Sequence, residues 1–274
     1  MGSKFIFLVL FIMKQPVSIF LSCLCIFQFA CSVRGTKNYS PANGHSHNDY
    51  LNPSYFYLAN RSGFGSIEAD VFPVNGSLYV AHGKKDIQPE HTLKDMYINP
   101  IATVLAADSS RHLQLLVDIK ENYLVTLPIL IQELQSVKPW LNSTGMPNRL
   151  TILISGLRPP PEAYKNYPSF IFFDDDLKLP HSKQEWSRVG LVSLPFDKIS
   201  SWDGKTPLPH HDKQLLQHKI DSVHAAGKAI RFWAAPDTEL SWKLQQKMHV
   251  DLIGTDRIED LGNLLRRKKG KQFD

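Results

Sequence analysis

The side chains best suited to chemistry fall into two pairs of charged residues and two histidine groups. Glu68 and Asp70 stand two apart in SIEADVF, and Asp118 and Lys120 repeat that spacing at the end of LQLLVDIK. Residues i and i+2 of a strand face the same side, so each pair presents two polar groups together. A buried strand does not end in carboxylates without something to balance them. Three acids converging on one small area would repel unless a cation sat among them, and a set of hard oxygen ligands suits Mg²⁺ or Ca²⁺ rather than zinc. A lone aspartate at a strand end most often caps a helix or pairs with a lysine. Two i, i+2 pairs on successive strands favour a shared site. His45 and His47 lie in GHSHNDY and His82 in LYVAHGKKD, and histidine is the side chain best placed to give and take protons near neutral pH. The other eight histidines (His91, His112, His181, His210, His211, His218, His224, His249) fall in helices or polar loops and read as surface or helix positions. The run Asp174-Asp175-Asp176 could line the pocket or cap a loop, and reads more readily as the loop cap.

These groups must be carried by strand ends. Short β-branched or apolar runs recur at about 66–72, 113–119, 150–155, 169–173, 189–194, 228–234 and 251–255, with a further short strand ending at His45. Helical patterns lie between them, clearest at 124–137, 212–226 (closed by Gly227) and 238–248. Near-continuously apolar strands alternating with helices imply parallel strands covered on both sides. Eight of them in about 225 residues predict an α/β fold, a closed (β/α)8 TIM barrel over 39–264, whose inward side chains meet at the C-terminal strand ends.

The chain has 274 residues, 43% hydrophobic and 21% charged, which excludes disordered, collagen-like and coiled-coil classes. All three cysteines (Cys23, Cys25, Cys31) precede residue 32, leaving no disulfide framework, zinc cluster or thiol nucleophile for the barrel. Residues 5–13 and 17–31 are apolar and separated by Lys14-Gln15-Pro16, each shorter than a membrane span. From Met13, itself a candidate start, the second run has the shape of an export signal over 1–31. Cleavage after Ala30 would leave Cys31 first, as in a lipoprotein. The expectation is an exported protein, periplasmic, secreted or membrane-anchored, associating with membrane through a Cys31 lipid or the basic tail 265–274. Four Asn-x-Ser/Thr acceptors, at Asn38, Asn60, Asn75 and Asn142, carry no weight under a bacterial reading of the leader. Without Lys4 and Lys14 of the leader, 29 basic residues face 26 acidic ones, and no nucleic-acid motif accompanies them.

The order GHSHND, IEADVF, VAHGKKD, LVDIK resembles the phosphatidylinositol-phospholipase-C-like phosphodiesterase superfamily, which includes glycerophosphodiester phosphodiesterases and sphingomyelinase D enzymes. DLIGTDRI is similar to the closing strand of the glycerophosphodiesterases, so the resemblance spans about 42–258. It implies a TIM barrel and metal-dependent cleavage of a small phosphodiester or phospholipid substrate by a monomer, in some members through a cyclic phosphate. Carried across, it makes His45 and His82 the acid–base pair, Glu68, Asp70 and Asp118 the ligands of one divalent cation, and Lys120 the phosphate-contacting lysine. Asn48 falls where sphingomyelinase D enzymes carry an asparagine, and Trp233 resembles their late-barrel tryptophan. With His47 these complete the substrate side, Trp233 standing either over a choline-like headgroup or in the core. The usual His-Arg-Gly is replaced here by His45-Ser46-His47, so the arginine near phosphate is missing and the chain reads as a divergent bacterial or fungal-type subgroup. Two other readings compete. His-x-His at the end of strand one also resembles metal-dependent amidohydrolases, although the later strands lack their lysine and histidines. A non-catalytic lipid- or glycan-binding barrel would keep the scaffold without the chemistry.

Overall fold

A computed structural model describes residues 37–267. The leader with Cys31, and the tail beyond Arg267, lie outside the described residues. No helix among the described residues is long and apolar enough to cross a membrane.

The chain runs β1 (Gly44–Ser46), α1 (Tyr57–Arg61), β2 (Ser66–Val74), β3 (Ser77–Val80), α2 (Asn99–Ala107), β4 (Leu113–Ile119), α3 (Tyr123–Glu133), β5 (Leu150–Gly156), β6 (Ile171–Asp175), α4 (Lys183–Trp186), β7 (Val189–Pro195), α5 (His210–Ala225), β8 (Ile230–Trp233), α6 (Glu239–Lys247), β9 (Ile253–Thr255) and α7 (Ile258–Arg266). The sheet order is β8-β7-β6-β5-β4-β2-β1-β9, all parallel, with β3 antiparallel on β2. One bridge, Arg231 to Leu252, brings β8 beside the approach to β9, so the eight strands form the nearly closed barrel that the alternation implied. The outward faces of β2, β4 and β5 (Ile67, Ala69, Val71, Leu115, Val117, Ile152, Ile154) are buried under helices, as parallel strands require.

Two local details decide where the site stands. The turn Asn75-Gly76, both residues at positive φ (48° and 81°), makes the two-residue hairpin that folds β3 back along β2. β3 therefore delivers His82 beside Asp70 at the barrel mouth. At the opposite face the β8/β9 seam is closed by Asp251, whose carboxylate accepts from Ile230 N–H (2.8 Å), faces His224 Nε2 (2.8 Å) and pairs with Lys37. Burial alone would raise the Asp251 pKa, but the hydrogen bonds from Lys37, His224 and Ile230 outweigh it and hold it low. Stability from this carboxylate is therefore full above its unfolded pKa, near 3.8, and lost as pH falls through the lower folded value. Asp251→Asn should cost about 1–3 kcal/mol at pH 7. In paired urea titrations the deficit should shrink below pH 4; a deficit equal at pH 7 and pH 3 would contradict this role.

Two expectations are corrected. The strand placed at 169–173 runs instead over Ile171–Asp175, with a register shift between Phe173 and Asp174. Asp174 and Asp175 are thus buried in the barrel wall rather than capping a loop. They can be, because each finds partners: Arg231 and Ser193 for Asp174, His181 (3.0 Å) and the Leu177 N–H for Asp175. Equally, His181 is not a surface group, being drawn in by Asp175, whereas His224 lies on α5 and faces Asp251.

Candidate active site

β2 places Ser66, Glu68 and Asp70 on the inner face, and the β2/β4 register sets Asp70 directly beside Asp118. One oxygen from each of Glu68, Asp70 and Asp118 lies within 4.8 Å of the others. Lys120 bridges Asp70 (2.8 Å) and Asp118 (3.0 Å), and Ser155 Oγ donates to Asp118 (2.9 Å). Space beside Asp118 is kept open by Gly156, at φ 68°, where a Cβ would come 2.5 Å from Asp118 Oδ1 and 2.4 Å from the Ile119 carbonyl. Burial pushes the Asp70 pKa up in spite of Lys120. Its Oδ1 is buried without a hydrogen-bond partner among the described residues. A buried carboxylate oxygen left bare costs free energy unless something unrepresented binds it. Three hard oxygens, one of them bare, fit a single divalent cation.

The two histidines of GHSHND stand at different depths. His45 pairs in register with Ser66, one layer below Glu68, and is fully buried. Its Nδ1 lies 2.8 Å from Ser66 Oγ, itself held by Gln114, and its Nε2 faces both Glu68 (2.9 Å) and Arg231. Burial, reinforced by Arg231, lowers its pKa to about 4, so the ring is neutral and enclosed. Continuing the register puts His47 level with Glu68, at the mouth. There its Nδ1 lies 2.8 Å from Asp256 Oδ1, and its side chain is 41% exposed. Burial alone would lower the His47 pKa, but the hydrogen bond to Asp256 and the charge of Glu68 carry it above the usual value. A His-x-His chelate of the amidohydrolase kind would need a ring nitrogen of His45, and its Nε2 faces Glu68 and the Arg231 guanidinium instead. His45, expected to be half of the acid–base pair, has both ring nitrogens engaged below the site floor, Nδ1 by Ser66 and Nε2 by Glu68 and Arg231.

His82 is 67% exposed at the opposite side of the mouth, with Nδ1 3.2 Å from Tyr50 Oη and 4.0 Å from Asp70. Tyr50 Oη also lies 2.8 Å from Asp70 Oδ2 and 3.0 Å from Asn48 Oδ1, and Asn48 Nδ2 is 3.1 Å from His47 Nδ1. An arc of contacts, His82, Tyr50, Asn48, His47, Asp256, therefore spans the carboxylates. Asn48 reaches into it from a left-handed conformation (φ 47°), which asparagine tolerates better than most residues. Tyr50→Phe should weaken Mg²⁺ binding about 10–100-fold by calorimetry, the usual loss when a partner orienting a ligand is removed; unchanged affinity would leave Tyr50 no part in holding Asp70.

Trp233 is 44% exposed, so core packing does not account for it. With His47, Arg231, Asp237 and Thr255 it lines a cleft of about 90 Å³. Arg231 was not singled out in the sequence, and Asp174 was read there only as part of the acidic run that ends its strand. Arg231 is buried inside the barrel, with Nη1 2.8 Å from Glu68 and Nε 3.1 Å from Ser193. Burial pushes the Asp174 carboxyl up to about 7 against the pull of Arg231 and Ser193. The signal was an arginine in the middle of the apolar strand KAIRFWA, which only a buried acid can accommodate. It supplies a guanidinium from β8 to a site whose first strand lacks one.

Residues 34–110 match the family model of the AIM6-like phosphodiesterase domain, a stretch that holds His45, His47, Glu68, Asp70 and His82. The chain is 27% identical to the altered inheritance of mitochondria protein 6 homolog of Arthroderma benhamiae, covering 81% of this chain and 83% of that protein. It is also 27% identical to altered inheritance of mitochondria protein 6 of Kluyveromyces lactis, over 81% and 71%. The fold is similar to that of a glycerophosphodiester phosphodiesterase from Parabacteroides distasonis, with a TM-score of 0.52, 15% identity, and 84% and 98% of the two chains covered. The resemblance to phospholipase-C-like phosphodiesterases and the (β/α)8 architecture are borne out; neither relative's name states an activity or a substrate.

Proposed function

We propose that the chain is a phosphodiesterase that uses one divalent cation, Mg²⁺ or Ca²⁺, to cleave a glycerophosphodiester or a phospholipid-type diester. The observation that carries this reading is the carboxylate cluster with its bare Asp70 oxygen, set between two imidazoles at the barrel mouth. Glu68, Asp70 and Asp118 would hold the cation, which when bound neutralises charge on the phosphoryl oxygens. Lys120 adds a fixed positive charge at the same edge. His47, whose pKa the hydrogen bond to Asp256 and the charge of Glu68 raise, is suited to giving a proton to the leaving alkoxide. His82, open to solvent and held by Tyr50, is suited to taking the proton of the attacking hydroxyl. His45 is then a positioning residue, fixing Glu68 from below. The attacking oxygen belongs either to water or to the substrate itself, and a cyclic phosphate results in the second case.

Phosphorus NMR on the full chain with glycerophosphocholine and short-chain phosphatidylcholine tests this. Turnover is expected with Mg²⁺ or Ca²⁺ and none with chelator, the product's chemical shift separating cyclic from open phosphate. Turnover unaffected by chelator would remove the cation from the reading. Metal binding with no turnover of any diester would favour a binding barrel instead.

A further inference from the structure

Four Asn-x-Ser/Thr acceptors take no part in the site: Asn38, Asn60, Asn75 and Asn142, a fifth at Asn52 being barred by Pro53. A bacterial reading of the leader gives them no weight. The two relatives named above come from fungi, however, and a fungal secretory route attaches glycans at such acceptors. The fold sorts the four. Asn142 is half-buried and held at both ends, its Nδ2 donating to Thr151 Oγ1 (2.5 Å) and its Oδ1 accepting from the Asn148 N–H. Asn60, also half-buried, accepts from Arg111 Nε (3.1 Å). A glycan is bulky and must stand in solvent, so neither position suits one.

Asn75 and Asn38 differ in both respects. Each is exposed, and neither side chain has a hydrogen-bond partner among the described residues. Asn75 opens the two-residue turn between β2 and β3, and Ser77, the third residue of its acceptor, pairs with Val74 across the hairpin. The whole acceptor is therefore held at the tip of a hairpin, in solvent. Beside it the Leu78 N–H donates to Glu133 Oε1 (3.3 Å) at the far end of α3, which places the tip on the flank of the barrel and not over its mouth. Asn38 lies between two anchored neighbours: Lys37 pairs with Asp251, and Tyr39 Oη donates to the Val250 carbonyl (2.6 Å). With both neighbours turned to the β8/β9 seam, the side chain between them faces the other way. Both positions stand clear of Glu68, Asp70 and Asp118, so a glycan at either leaves the carboxylates open.

We infer that the chain carries N-linked glycans at Asn75 and Asn38. Transfer joins the Nδ2 of each to the anomeric carbon of an oligosaccharide carried on a polyprenyl pyrophosphate. The bond from that carbon to the pyrophosphate oxygen breaks, the pyrophosphate leaves with the electron pair, and the amide gives up one proton. The modification requires that the chain enter a secretory compartment, as the shape of the leader implies, and it is independent of the phosphodiesterase reading.

The test expresses the full chain with its own leader in a yeast and compares medium, membrane and cytosolic fractions on gels before and after peptide N-glycosidase. Protein in the secretory fractions should gain mobility on digestion by the mass of two glycans. Ser77→Ala, which spares the asparagine of the turn, should remove one glycan and Asn38→Gln the other, and the double variant should run with the digested wild type. Peptide mapping after digestion in heavy-oxygen water should find labelled aspartate at positions 75 and 38 and plain asparagine at positions 60 and 142. Exported protein whose mobility the glycosidase leaves unchanged, or label at positions 60 and 142 with none at 75 and 38, overturns the inference and leaves export standing. Unmodified protein confined to the cytosol overturns the inference and export together.

Discussion

His47→Ala is expected to lower kcat about 10²–10⁴-fold, the usual worth of a general acid or base, with little change in melting temperature. His47 is partly exposed and holds no core contact, so its loss removes a proton carrier and not a support. His45→Ala should do the reverse. It empties a fully buried site between Ser66 and Glu68, which costs about 2–4 kcal/mol, or on the order of 10 °C in a chain of this size. Its effect on kcat should be the smaller of the two and traceable to a weaker metal affinity, because Glu68 loses a partner. Parallel thermal melts and turnover assays separate the roles. Near wild-type turnover in His47→Ala, with a collapse of kcat in a stably folded His45→Ala, would put the proton on the inner ring after all.

The resemblance in sequence gives the proton to His45, whereas the reading proposed above gives it to His47. Strand β1 is three residues long, and His47, one residue past its end, falls on the same side as His45 by spacing. Only pairing with β2 tells which is level with Glu68, and register between strands distant in sequence is not written in either strand alone. Glu68, Asp70 and Asp118 were legible because polar residues at i, i+2 in an apolar strand have few structural excuses. The barrel was legible for a similar reason, since unbroken apolar strands must be covered on both faces. Arg231 and Asp174 were not, for each looks like an error in its strand until the other, 57 positions away in the sequence, is placed beside it. Tyr50 could not be read at all: an aromatic after GHSHND reads as core, and only the fold turns its hydroxyl toward Asp70 and His82.

Arg231 leads to the second large effect. Its guanidinium is the cation nearest Glu68 inside the barrel, because His45 is neutral at ordinary pH. Burial would raise the Glu68 pKa, and Arg231 with His45 instead drives it well below the usual carboxylate range. Arg231→Met leaves that carboxylate enclosed without its counter-charge, and breaking a buried pair from one side costs about 3–5 kcal/mol. The pH dependence has a definite sign. In the wild type the lowered folded pKa gives stability that is full above the unfolded value, near 4.5, and lost as pH falls through the folded one. In the variant His45 is left to oppose burial without the guanidinium, so the folded pKa rises and stability is recovered as acid protonates the carboxyl. The gap between the two proteins should therefore be widest near pH 7 and narrow toward pH 4 in urea titrations. Adding Glu68→Gln to Arg231→Met should restore part of the loss at pH 7, since the uncompensated charge is then gone. A double variant no more stable than Arg231→Met alone would show that the cost lies in lost packing of the arginine and not in the charge it balances.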